Sequence, residues 1–219
     1  RAASGAAAAA VPTVSGAAAD AAPAVSGAAA VARPVLNPAD HRDVVGQVQD
    51  SSLADVQLAI GCAVEHAPLW AAIEPAQRAA MLERGADRLE ADTEVLMHLM
   101  QREAGKTCAN ALAEVREAVD FLRYYAAQVR RDFSNRTHQP LGPVVCISPW
   151  NFPLAIFIGQ VAAALAAGNT VLAKPAEQTP LIAAQAVRTL LDAGIPRAAL
   201  QLLPGPGESI GAALVADAR

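Results

Sequence analysis

A carboxamide, an ammonium and a carboxylate stand just past two apolar runs of this chain, where they could do chemistry together. Asn151 lies within Ser148-Pro149-Trp150-Asn151-Phe152-Pro153, directly after Val144-Val145-Cys146-Ile147. Lys174 and Glu177 lie in Lys174-Pro175-Ala176-Glu177, directly after a second apolar run. Both runs read as buried strands, and in an open parallel sheet the carboxyl ends of neighbouring strands meet at one ligand crevice. The Asn151 side chain can donate an N–H to an oxygen that turns negative as a carbonyl is attacked. Equally, it could cap the helix that Pro153 opens. Lys174 is one of only two lysines, the other being Lys106. It could snorkel to solvent, or with Glu177 it could hold both hydroxyls of a ribose through charge-assisted hydrogen bonds.

Gly205-Pro206-Gly207-Glu208-Ser209-Ile210-Gly211 follows a third apolar run and leads into a helical pattern. That context suits a pyrophosphate-binding turn, although the spacing by itself fits a plain tight turn as well. Glu103-Ala104-Gly105-Lys106-Thr107 lacks the full phosphate-loop spacing and reads as a helix stop with surface charges. Cys62, Cys108 and Cys146 each read as structural. Cys146 sits in an apolar strand, where a thiol stays protonated, and Cys62 with His66 supplies two ligands where a metal site needs more. No metal is expected.

The elements that must position these groups can be read from pattern. Residues 1 to about 30 are Ala/Pro-rich, with Pro12-Thr13-Val14-Ser15-Gly16 recurring almost intact from Pro23. Such a tract has too few large apolar groups to offset ordering entropy, so 1–33 is expected to be a disordered linker. Ordered structure is expected from about Val35. Ser52 with Asp55 reads as a variant capping box for a helix ending before Pro68. Further helices are expected from Pro75 to about Glu90, from Thr93 to Ala104 with Gly105 as its stop, and over 109–132. The last of these lines up Leu112, Val115, Val119, Leu122, Ala126 and Val129 on one stripe. From Gly142 the pattern becomes strand 144–148, helix 153–167, strand 170–174, a helix capped by Thr179, and strand 200–203. Two crossovers of that length make a right-handed βαβαβ unit. The fold class is therefore α/β, with a helical part over 50–132 and a parallel-sheet part over 142–219.

Composition removes several function classes. The 219 residues carry a net charge of −4, so nothing favours a nucleic-acid partner. An odd count of three separated cysteines argues against a disulfide framework and for a reducing, cytoplasmic setting. The charge-free stretch 141–173 exceeds a membrane span in length. Pro143, Pro149, Pro153, Gly159 and Gly168 break it, so a strand, helix and strand explain it better. The chain opens on Arg1 and closes just after a helical pattern begins, so an internal fragment of a longer polypeptide is expected.

Taken together, Ile147 through Pro153, then Ala167-Gly168-Asn169-Thr170-Val171, then Lys174-Pro175-Ala176-Glu177 resemble the aldehyde dehydrogenase superfamily. With Arg102-Glu103-Ala104-Gly105-Lys106-Thr107 and the segment from Ala113 to Tyr125, they resemble most the glutamate-semialdehyde (pyrroline-5-carboxylate) dehydrogenase half of bifunctional proline utilisation proteins. The resemblance runs from about Pro34 to Arg219 and implies an incomplete NAD-binding domain. It implies that Asn151 is the oxyanion donor and that Lys174 and Glu177 hold the adenosine ribose of NAD. Ile147, Ser148, Pro149 and Trp150 then line the cofactor, and Gly207 and Gly211 lie near its adenine end. The family's catalytic cysteine and glutamate base fall outside this chain, which alone is expected to be inactive. The resemblance further implies a small aldehyde substrate, a homo-oligomer, and fusion to a preceding proline dehydrogenase domain, which would bring FAD. A dehydrogenase for another semialdehyde, a non-catalytic relative and a plain Rossmann-type reductase are the other readings.

Overall fold

The computed structural model describes residues 13–15 and 32–219. Its elements run β1 (Thr13–Ser15), β2 (Arg33–Asn37), β3 (Asp40–Gln49), α1 (Leu53–Ala72), α2 (Pro75–Ala91), α3 (Thr93–Ala104), α4 (Cys108–Asp132), β4 (Pro143–Ile147), α5 (Ala155–Ala166), β5 (Thr170–Lys174), α6 (Pro180–Asp192) and β6 (Leu200–Leu202). A π-helical turn (Gly207–Gly211) then leads into α7 (Ala212–Ala216). Strands β4, β5 and β6 pair in parallel in that order, with Cys146 opposite Ala173 and Leu172 opposite Gln201. This is the expected βαβαβ unit.

β5 is the middle strand and all five of its residues are buried, which is why its sequence shows no polar alternation. Its side chains alternate between two cores. Val171 and Ala173 join a large core with α2, α4, α5 and α6, while Leu172 joins Val56, Ala59, Ile60 and Ala63 of α1 and Leu214 of α7. Buried polar groups tie the layers together. Thr170 Oγ1 donates to the Ala63 carbonyl (3.0 Å), Gln201 Nε2 donates to the Ala59 carbonyl (3.0 Å), and Asn169 Oδ1 accepts from the Leu141 amide (2.7 Å). The stretch 141–173 is thus a strand, a helix and a strand inside a sheet layer. Among the described residues, no single helix is long and apolar enough to cross a membrane.

The structure corrects three of these expectations and adds detail to a fourth. Helix α1 does not end before Pro68 but passes through it to Ala72. Pro68 lies on the exposed face, where the carbonyl it leaves unpaired can meet water. The turn beyond is anchored by buried Trp70, whose Nε1 donates to the Leu165 carbonyl (3.2 Å). Secondly, the segment 33–49 forms an antiparallel hairpin, where the sequence pattern shows only an onset of order near Val35. Thirdly, Thr13–Ser15, inside the presumed linker, pairs in parallel with Gln47, Val48 and Gln49, so backbone pairing gives those three residues a partner that composition could not reveal. The remainder of the linker expectation lies outside the described residues. Lastly, the Thr179 side chain does not cap α6; a distant carboxylate does, as described below.

Candidate functional site

The three parallel strands end side by side. Ile147 is the register partner of Lys174, the Ser148 amide donates to the Lys174 carbonyl (3.2 Å), and the Leu203 amide donates to the Ala173 carbonyl (2.9 Å). The segments after β4, β5 and β6 therefore leave from one edge, as a parallel sheet requires. Ser148, Lys174 and Gly211 are buried there, Pro149 and Glu177 are half-buried, and Ile147, Trp150, Asn151 and Gly207 are exposed.

Lys174 is the buried charge of this edge, at 4% exposure. Its Nζ donates to the Pro175 carbonyl (3.1 Å), and since an ammonium carries three donors it can also serve an incoming hydroxyl. Burial lowers its pKa, while Glu177, Glu208 and Asp50 act to raise it. A Cβ added at Gly211 would lie 3.7 Å from Lys174 Cε, so the Gly-rich turn packs directly on the lysine stem. At Gly207 an added Cβ would meet nothing within 4 Å, leaving open space in front of the loop. The hairpin latches the same corner: Arg33 pairs with Asp50 (2.9 Å) and donates to the Glu177 carbonyl (2.9 Å). A buried ammonium, a nearby carboxylate and an uncovered glycine turn fit a ribose with its attached nucleotide.

Among the described residues no hydrogen bond joins Asn151 to Lys174 or Glu177. The start of α5 bears on the capping alternative. The Leu154 and Ala155 amides donate to Glu114 Oε2 at 3.1 and 3.2 Å, so the first two amides of that turn are taken by Glu114 and not by Asn151. Among the described residues the Asn151 carboxamide has no hydrogen-bond partner, while its backbone carbonyl accepts from Lys106 Nζ. Lys106 also pairs with Glu114 Oε1 (2.6 Å) and lies 4.5 Å from the centroid of the Phe152 ring.

The turn between α3 and α4 is expected from sequence to carry surface charges, and the structure corrects this. Glu103 is 3% exposed and accepts from the Leu181 and Ile182 amides at 2.7 and 2.9 Å. It caps α6 as Glu114 caps α5. Burial pushes the Glu103 carboxyl up to about 8, while those two amide bonds pull it back. Gly105 between them takes φ 65°, the left-handed conformation that lets the chain reverse. A signal for both carboxylates was present in the sequence. Glu103 continues the buried α3 stripe of Leu96 and Met100, and Glu114 sits beside Val115 on the buried face of α4. A carboxylate on an apolar stripe implies a buried partner.

Of the cysteines, Cys146 is buried and its thiol is pushed up to about 11 by burial, whereas Cys62 and Cys108 are exposed. Among the described residues, no group of three or more His, Cys, Asp or Glu is arranged to hold a metal ion.

Strand ends that converge on a buried lysine and a glycine turn define an α/β unit with a crevice at the carboxyl ends of its strands. The chain belongs to the aldehyde dehydrogenase family, whose model matches residues 25–219. It is 65% identical over 185 residues to the bifunctional protein PutA of Klebsiella aerogenes, covering 84% of this chain and 14% of that protein. Among solved structures, proline utilization A from Bdellovibrio bacteriovorus superposes with a TM-score of 0.81 at 32% identity, over 85% of this chain and 21% of the other. The 1-pyrroline-5-carboxylate dehydrogenase from Thermus with bound NAD gives 0.79 at 33% identity, over 84% of this chain and 38% of the other. The chain thus spans about a seventh of the PutA relative's length.

Proposed function

We propose that this chain forms the first part of the NAD-binding domain of a dehydrogenase that oxidises L-glutamate γ-semialdehyde to glutamate in proline catabolism. The observation that carries the reading is Asn151: an exposed carboxamide with no partner among the described residues, on a segment whose neighbouring helix is capped by another residue. When a thiolate adds to an aldehyde carbon, the C–S bond forms and the carbonyl electron pair moves to oxygen. Asn151 Nδ2 then donates to that oxyanion. Residues outside these 219 supply the thiolate and the base that activates water, so the chain alone is inactive.

NAD, when bound, accepts the hydride of the aldehyde carbon. Lys174 and Glu177 would hold its adenosine ribose, Gly207 would leave room at the adenine end with Gly211 packed on the Lys174 stem beside it, and Ile147, Ser148, Pro149 and Trp150 would line the remaining wall. The name of the Thermus relative, which binds NAD, and the PutA similarity support both the cofactor and the substrate class. The bifunctional PutA relatives further support fusion to a proline dehydrogenase domain, with FAD belonging to that domain. A homo-oligomer in the cytoplasm completes the proposal.

The test is Asn151→Ala in the full-length enzyme, with turnover, NAD affinity and melting temperature read on the same variant. Loss of one oxyanion donor costs about 3 kcal/mol, roughly a hundredfold or more in kcat, with NAD affinity and melting temperature little changed. Near-normal turnover would return Asn151 to a structural role.

A further inference from the structure

We propose that Lys106 and Glu114 are positioning residues for Asn151, a role that rests on the oxyanion reading above. One ion pair, with Glu114 buried and Lys106 half-buried, grips both ends of the segment that carries the carboxamide. Lys106 Nζ donates to the Asn151 carbonyl and sits over the Phe152 ring, while Glu114 Oε2 takes the Leu154 and Ala155 amides. Holding that carbonyl fixes the 151–152 peptide plane, and with it the direction of the Asn151 Cα–Cβ bond. Only the two side-chain torsions then remain to be set, and no bond among the described residues competes for the carboxamide.

The pair is itself anchored. Lys106 lies between Gly105, which ends α3, and Thr107, whose side chain accepts from the Asn110 amide (3.2 Å) to open α4. Glu114 follows on that same helix. Its side chain is 2% exposed and that of Lys106 is 14%. A buried ion pair adds little net stability compared with apolar groups of the same volume, because desolvation offsets the attraction. What the pair does provide is a defined geometry for residues 151–155, where a misplacement of about 1 Å can cost a hundredfold in rate.

The experiment is a double-mutant cycle in the full-length aldehyde dehydrogenase that carries this segment, using Lys106→Met, Lys106→Arg, Asn151→Ala and Lys106→Met with Asn151→Ala. The readouts are kcat, NAD dissociation constant and melting temperature. Lys106→Met is expected to lower kcat by roughly a hundredfold with NAD binding unchanged, and Lys106→Arg to recover much of it. In the Asn151→Ala background Lys106→Met should cost nothing further, since the group it positions is gone. Wild-type kcat in Lys106→Met beside a slow Asn151→Ala overturns the positioning role alone. Equal losses in the two backgrounds overturn it as well. Wild-type kcat in Asn151→Ala instead sinks the oxyanion reading, and this role with it. Should Lys106→Met fail to fold, Glu114→Gln, which keeps one acceptor for the α5 amides, is carried through the same cycle and read by the same outcomes.

Discussion

Replacing Glu103 by glutamine tests whether a carboxyl group from α3 holds the start of α6. In the wild type the two Glu103 oxygens accept from the Leu181 and Ile182 amides at 2.7 and 2.9 Å in a buried setting. Glutamine offers one acceptor oxygen and an NH2 group that cannot accept. One amide therefore loses its partner, at a cost of about 1–3 kcal/mol. The pH dependence carries a second signature. Burial raises the carboxyl from its ordinary 4.5 to about 8, so between those values the folded chain binds a proton that the unfolded chain has released. The stability this contributes is full below about pH 4.5 and lost as pH climbs toward 8. Urea unfolding of wild type and Glu103→Gln from pH 5 to 9 should show the variant less stable, by most at pH 5, with the gap narrowing toward pH 8. A variant as stable as wild type at pH 5, or one that keeps the wild-type slope, would refute the argument.

Three further outcomes follow from particular geometries. Gly205 has φ 147°, and a Cβ there would fall 2.6 Å from Ile210 Cγ1. Gly205→Ala should therefore destabilise by about 1–3 kcal/mol in urea melts, and an unchanged midpoint would contradict the strain. With its thiol pushed up to about 11, Cys146 should resist iodoacetamide at pH 8 in the folded chain while exposed Cys108 reacts, as peptide mass spectrometry would show; equal labelling rates would count against burial as the cause. In the full-length enzyme, Glu177 beside the ribose should repel a 2′-phosphate, so NAD should be preferred and Glu177→Gln should narrow that preference; a wild-type preference for NADP would remove Glu177 from the ribose.

The expectations that failed share one cause: each depended on a partner far away in the chain. Pro68 reads as a helix stop because a proline removes one backbone bond, yet Trp70 secures the turn beyond it through the Leu165 carbonyl, 95 residues on. Thr179 followed by Pro180 reads as a self-sufficient cap, but Glu103 reaches the Leu181 amide from 78 residues away. Glu103 reads as a surface charge beside Lys106 even though it continues the α3 stripe of Leu96 and Met100, because no sequence window shows that the α6 amides face it.

Local and periodic features, by contrast, were legible in the chain alone. Strand β5 and helix α3 fall where apolar patterning and the Gly105 stop place them, because those features act within a few residues. The crevice at the strand ends was legible too, since parallel strands joined by crossover helices must finish on the same side. How Asn151 is held depends on tertiary packing. A carboxamide after a strand can cap a helix or face a ligand, and its own residues do not choose between them. Glu114 occupies the Leu154 and Ala155 amides that lead into α5, and Lys106 takes the Asn151 carbonyl. Both lie on earlier parts of the chain, brought there by the packing of α4 against α5. Burial gives their charges a defined partner in place of water.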